Sequence, residues 1–130
     1  MKKRVLVGMT ALLLSLSLLM AQEIPAGVVT AFKRGSSQEL SKYMGNKVNL
    51  VLQGRSTSVD KQKATIVMQE FFTENKVSGF NVNHQGKRDE SSFVIGTMAT
   101  TKGSFRVNCF LKKVQDKCLI HQIRIDKINE

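Results

Sequence analysis

The pattern of apolar residues changes near the middle of the chain, and this change most constrains the fold. Between Asp60 and Glu74 the apolar residues recur every three or four positions, at Ala64, Val67, Met68, Phe71 and Phe72. This spacing predicts an amphipathic helix. From Lys76 onward the period is two, which predicts strands, and polar turns at 86–90, 101–103 and 114–116 separate four of them. The pattern predicts a long helix followed by an antiparallel meander.

The residues before this helix predict two short helices and one strand. Pro25 is tolerated at a helix start, and Gly35 ends the first segment. The second segment, from Ser36 to Gly45, begins with a capping box, and its inner face would be Leu40, Tyr43 and Met44. Lys47–Gln53 alternates and predicts a strand, and 54–58 predicts a loop. We expect an α+β fold with the N-terminal helices packed on the concave face of a curved antiparallel sheet.

The first twenty-one residues have the three zones of a secretory signal peptide. Basic residues at 2–4 precede an uncharged apolar stretch, Val5–Met20, and Ala21 is a small residue before the polar Gln22. The stretch is shorter than the ~20 residues of a spanning helix, although an uncleaved anchor is the alternative. We predict a signal peptide at 1–21, a periplasmic or secreted location with no stable membrane anchor after cleavage, and a single domain at 22–130.

The predicted domain is basic. It carries seventeen Lys and Arg against ten Asp and Glu, a formal net charge of +7. These residues are scattered, so we expect a solvated basic surface, with an anionic partner as the alternative. Lys102–Val107 loosely resembles an RNA-binding strand motif but lacks its second aromatic residue. We therefore expect no nucleic-acid partner.

The last predicted turn sets the expected placement of the two cysteines. With a three-residue turn, Leu111 faces Leu119. Cys109 then faces His121, and Cys118 lies on the other face of the sheet. Because a disulfide needs the two Cβ atoms to approach each other, we expect two free thiols, with Cys109 buried and Cys118 partly exposed.

Three segments carry a resemblance to a known family: Ile24-Pro25 with Ala31-Phe32, Met68 to Phe72, and Leu119 to Ile125. With this order of elements, the chain resembles the cystatin-like fold of the nuclear transport factor 2-like superfamily. More closely, it is similar to a family of exported bacterial domains of unknown function in that superfamily. The resemblance implies a cavity between sheet and helices, in which superfamily members bind small molecules, catalyse or only form a core. Many of them dimerise through the sheet.

The predicted inner face of the sheet carries no acidic residue. Enzymes of the fold that this chain resembles, such as isomerases and dehydratases, place an Asp in the cavity, where apolar surroundings raise its pKa. Here the acids fall at helix ends, turns or outer faces. The two His residues lack a third metal ligand, and there is no phosphate-binding glycine loop. We expect a non-catalytic domain without cofactor or metal, and an isomerase or hydratase is the less favoured alternative.

The candidate ligand-binding residues are side chains expected at the cavity: Tyr43, Phe72, His84, Phe93, Cys109 and His121. Such a site would bind a small apolar ligand or a protein partner. The alternative is that these residues only pack within the domain and that the two His lie at the edge of the core. A competing hypothesis is a homodimer formed through the outer sheet face, with an apolar patch of Val94, Met98, Phe110 and Ile120. A cavity filled by the domain's own side chains favours the dimer.

Overall fold

The computed structural model describes residues 24–128, where helices cover one face of a six-stranded sheet. The predicted signal peptide lies outside the described residues. The elements are α1 (Ala26–Arg34), α2 (Ser37–Ser41), β1 (Met44–Leu52), β2 (Arg55–Asp60), α3 (Lys61–Glu74), β3 (Val77–Arg88), β4 (Ser91–Thr100), β5 (Gly103–Val114) and β6 (Lys117–Lys127). The predicted α+β architecture is confirmed. Within 24–128, no helix is long and apolar enough to cross a bilayer.

Helix α3 is the predicted long helix. The Asp60 carboxylate accepts a hydrogen bond of 2.8 Å from the backbone N–H of Lys63 and caps the helix. One face of the helix is buried through Ala64, Met68 and Phe72. The ring of Phe71 packs edge-on against Phe105 of β5, with 5.2 Å between ring centroids. This contact fixes α3 on the sheet.

A tight turn at Gly35 joins α1 to α2. Gly35 adopts the left-handed conformation, with φ of 61°, that ends many helices. The Ser36 hydroxyl then accepts a hydrogen bond of 3.2 Å from the Glu39 N–H and starts α2. Helix α2 ends at Ser41, so the predicted continuation of this helix to Met44 is wrong. Met44 begins β1, and its side chain is buried in the core.

The segment predicted as a loop at 54–58 is part of strand β2. The backbone of both Gln53 and Gly54 has positive φ, which closes a two-residue hairpin between Leu52 and Arg55. Strand β2 lies at the edge of the sheet, and every residue in it except Val59 is exposed. The strand therefore lacks the alternation of apolar and polar residues on which sequence prediction depends.

The sheet has the strand order β2-β1-β6-β5-β4-β3. Strands β3 to β6 form the predicted antiparallel meander. Strand β1 pairs antiparallel with β2 and parallel with β6, where Leu50 faces Ile123. Strand β6 thus joins the first hairpin to the meander.

The helix-covered face of β5 and β6 matches the predicted inner face at most positions. The residues predicted to face inward that do point into the core there are Phe105, Val107, Cys109, Leu111, Ile123 and Ile125. Strand β4 differs, because Val94 and Met98 are buried and Phe93 and Ile95 are half-buried on the outer face. Both faces of β4 are apolar, so alternation alone could not identify the inner one. The pairing of Val94 with Cys109 determines it.

The β5–β6 hairpin has a two-residue turn instead of the predicted three-residue turn. Gln115 and Asp116 both have positive φ, 49° and 67°, as this tight turn requires. Lys113 therefore faces Cys118, and the predicted register is wrong. Cys118 is half-buried, packs against the core and lies on the same face as Cys109, at the far end of the hairpin. Both thiols are free.

A bulge in β6 shifts its pairing with β5 by one more residue. Leu111 faces Ile120, whereas the preceding residue of β5, Phe110, faces Gln122. His121 is the extra residue between them. As a result Cys109 faces Ile123, and the predicted pairing of Cys109 with His121 does not form.

Candidate functional site

The space between the helices and the sheet is filled by the domain's own side chains. The fully buried residues there include Val28, Phe32, Leu40, Met68, Val107, Leu111, Ile123 and Ile125. Phe32 of α1 stacks on Phe80 of β3, with 5.3 Å between ring centroids. This packing makes the predicted cavity region a hydrophobic core.

Three of the predicted site residues lie in or beside this core. Phe72 is 7% exposed. Tyr43 is half-buried, and its hydroxyl lies against Gly27, in the place that a Cβ atom at position 27 would take. Cys109 is fully buried, and burial raises the pKa of its thiol to about 12. The thiol therefore stays protonated near neutral pH and acts as a small apolar group.

His84 and Phe93 contact each other on the outer face of the sheet. Their ring centroids are 5.4 Å apart. His84 is exposed and pairs with Ile95. Across the same two strands the Phe93 ring lies over Gly86. The prediction that these two side chains face the same space as Cys109 is wrong. Phe93 follows the opposite alternation along β4, and a register shift between Val82 and His84 turns His84 to the outer face.

His121 occupies the bulge of β6 and is half-buried. Its Nδ1 atom is buried and has no hydrogen-bond partner among the described residues. Burial lowers the pKa of the imidazole, and the positive charge of Lys112 lowers it further. A second buried polar atom without such a partner is Oδ1 of Asn108, on the outer side of β5.

A cluster of half-buried apolar side chains lies on the outer face of β4, β5 and β6. We call it the outer patch, and it consists of Phe93, Ile95, Phe110 and Leu119. Phe93 and Phe110 are direct cross-strand partners at its centre. Leu119 faces Lys112, which is two residues beyond Phe110 on the same side of β5. Neighbours at these positions contact one another on a sheet face.

The outer patch differs from the one expected from the sequence. Val94, Met98 and Ile120 of the expected patch are fully buried under the helices. Only Phe110 is shared between the two sets. The expected patch failed because β4 turns its other face outward and because the β5–β6 register differs by one residue.

Acidic and metal-binding side chains do not cluster in the core or at the outer patch within residues 24–128. None of the eight carboxylates within 24–128 is buried. Across the same residues, no group of three or more His, Cys, Asp or Glu side chains lies close enough together to hold a metal ion.

Sequence analysis missed a groove between α3 and the β1–β2 hairpin. Its volume is about 320 Å³, and its lining residues are Leu50, Leu52, Arg55, Thr57, Val59, Lys63 and Val67. Arg55, Thr57 and Val59 alternate along β2 and share the face that points toward α3. Because Arg55 and Thr57 are polar, β2 has no alternation of apolar and polar residues, so the sequence carried no signal for the groove.

The comparison with known families identifies this domain. The model of the domain of unknown function DUF4783 matches residues 25–126. The chain belongs to the DUF4783 family. Nearly every described residue falls within the match, so the helices, the sheet, the outer patch and the groove are all parts of a DUF4783 domain. No curated protein is similar to the chain by sequence.

Crystal structures of other DUF4783 proteins share this fold. A protein from Bacteroides ovatus is 88% identical, covers 84% of this chain and 99% of its own, and superposes with a TM-score of 0.82. A protein from Bacteroides fragilis is 65% identical, with coverages of 81% and 99% and a TM-score of 0.79. For one from Bacteroides uniformis the identity is 61%, the coverages are 82% and 99%, and the TM-score is 0.80.

More distant structures share the fold. A domain of unknown function with a cystatin-like fold from Nostoc punctiforme is 9% identical, with coverages of 79% and 72% and a TM-score of 0.62. A putative dehydratase from the NTF2-like family of Streptomyces avermitilis is 12% identical, with coverages of 80% and 90% and a TM-score of 0.61. The predicted cystatin-like fold is confirmed.

Proposed function

We propose that this DUF4783 protein is a non-catalytic interaction module that forms a homodimer through the outer patch. The observation that carries the proposal is the contrast between the two faces of the sheet. The helix-covered face is packed with the domain's own side chains, whereas Phe93, Ile95, Phe110 and Leu119 are left half-buried on the outer face. Clustered apolar side chains on a surface mark interaction sites.

A second copy of the chain is the partner that this surface fits. The patch lies in the middle strands of a sheet, so two copies related by a twofold axis can bury it on both sides at once. The resemblance to the nuclear transport factor 2-like superfamily, in which many members dimerise through the sheet, supports the same partner.

Charge opposes this association and gives it a recognisable salt dependence. Lys112 is exposed beside Leu119, and the predicted domain has a net charge of +7. Two such copies repel each other. Because salt screens repulsion between exposed charges, the dimer should become tighter as ionic strength rises. Association with an acidic partner would weaken instead.

The surroundings of the carboxylates and of the Cys109 thiol support a non-catalytic role. No carboxylate within 24–128 is buried, so none is held in the apolar surroundings that raise the pKa of a general base. The Cys109 thiol is fully buried and stays protonated. An activated cysteine needs the opposite conditions, namely access and a lowered pKa.

The same proposal includes export of the domain. The pattern of basic, apolar and small residues at 1–21 is that of a signal peptide. The DUF4783 match begins at residue 25, after this segment. The domain would then act in the periplasm or outside the cell.

The substitution Leu119→Glu tests the dimer. In the monomer the new carboxylate faces Lys112 across the β5–β6 pair, so the fold should be retained. In the dimer the same charge would be buried, which is unfavourable. We expect a dimer for the wild type and a monomer for the variant in sedimentation velocity, with unchanged circular dichroism.

Ile66→Glu is the matched control, because Ile66 is an apolar residue of α3 that is 56% exposed and far from the patch. This variant should remain dimeric. A wild type that stays monomeric at the highest attainable concentration and ionic strength would contradict the proposal. Dimerisation of Leu119→Glu with wild-type affinity would contradict it as well.

A further inference from the structure

The groove between α3 and the β1–β2 hairpin has an apolar floor. Leu50 forms its deepest part and is 2% exposed, and Leu52, Val59 and Val67 are half-buried. All four also pack against the hydrophobic core or belong to it. The floor is therefore continuous with the core.

Two cations lie at the edge of this floor. Arg55 faces Leu52 across the hairpin, and Lys63 is one helical turn before Val67. The side chains of Arg55 and Lys63 form no ion pair or hydrogen bond with the residues at 24–128. The nearest acid in sequence, Asp60, does not line the groove, and its carboxylate accepts a hydrogen bond from the backbone N–H of Lys63.

We propose that this groove binds a linear aliphatic monocarboxylate, a molecule of the fatty-acid type. The alkyl chain would cover Leu50, Val59 and Val67, and the carboxylate would lie between Arg55 and Lys63. A guanidinium group presents paired N–H donors that match the two oxygens of a carboxylate. The volume of about 320 Å³ is at the small end of ligand sites, which suits a single chain.

The groove and the outer patch lie on different parts of the domain. The groove opens beside α3 on the helix-covered side of the sheet, whereas the outer patch is on the opposite side. Ligand binding and dimerisation can therefore be tested separately, and failure of one does not imply failure of the other.

The binding test uses dodecanoate below its micelle concentration, followed by NMR on isotope-labelled protein. We expect the largest amide shifts at Leu50, Thr57 and Val67. The double variant Arg55→Gln/Lys63→Gln should bind about tenfold more weakly or worse, because two charge-assisted contacts are lost. The matched control Arg88→Gln/Lys102→Gln removes two exposed charges outside the groove and should bind like the wild type.

A blocking variant tests the location. Thr57 is exposed on the edge strand, where a Phe is well tolerated. Thr57→Phe places a ring over the floor and should abolish the shifts while the domain remains folded by circular dichroism. Unchanged binding by this variant would overturn the proposed location.

Two further ligands test the chemistry. Dodecanol has the same chain without the charge, and acetate has the charge without the chain, so both should bind at least about tenfold more weakly than dodecanoate. Equal affinity for dodecanol would overturn the role of the cations. Absence of dodecanoate binding, or shifts confined to the outer patch, would overturn the proposal as a whole.

Discussion

The ring of Phe80 lies directly over Gly96 of the neighbouring strand. A Cβ atom at position 96 would be 2.5 Å from this ring and 2.7 Å from the backbone carbonyl oxygen of Asn81. The missing side chain lets Phe80 lie flat on the sheet, where it stacks with Phe32 of α1. A single glycine thus permits the contact that holds the first helix on the sheet.

Gly96→Ala should destabilise the domain for this reason. The added methyl group would collide with a ring and with backbone that cannot move away, and overpacking of this kind costs about 1–3 kcal/mol. Gly79→Ala is the control, because a Cβ atom at position 79 would have no neighbour within 4 Å. Urea unfolding measures both variants. Equal stability of the two would show that Phe80 can shift without cost.

Stability should fall as the pH drops below about 6.5 because of His121. Its pKa is lowered in the folded protein by burial and by Lys112, so the unfolded chain takes up the proton first. The stabilisation is complete above the unfolded pKa and is lost as the pH falls toward the folded pKa. We expect a shallower decline of Tm in this range for His121→Gln, and an intermediate one for Lys112→Gln. The same slope in all three proteins would contradict this assignment.

The two thiols should differ in reactivity in the native protein. Cys109 is fully buried with a pKa of about 12, whereas Cys118 is half-buried near the end of the β5–β6 hairpin. Iodoacetamide should label Cys118 first and leave Cys109 unmodified until the protein is unfolded. Peptide mass mapping distinguishes the two sites. Labelling of Cys109 at the same rate would mean that the core opens far more readily than its packing implies.

Elements with a single apolar face could be predicted from the sequence. The residues that α3 buries have helical spacing, and β5 buries every second residue from Phe105 to Leu111. Such patterns predict which side of the element is buried as well as whether it is a helix or a strand. The α+β fold could be predicted from these two elements and from the order of helices and strands along the chain.

The candidate site could not be predicted in the same way, because it depended on local backbone geometry. Both faces of β4 are apolar, so Phe93 and Val94 were equally good candidates for the interior. The two-residue turn and the bulge at His121 each shift the register by one position, and no apolar pattern records such shifts. The outer patch became visible only with the pairing of the strands.

The position of β6 between β1 and β5 has a consequence for how the chain folds. Leu50 meets Ile123 across the parallel pair, so the sheet joins segments from opposite ends of the domain. Contacts between such distant segments form late and slowly. Until β6 is in place, the β1–β2 hairpin has no strand to join and β5 has a bare edge. A chain that lacks Lys117–Lys127 would therefore be left with two separate groups of strands instead of one sheet.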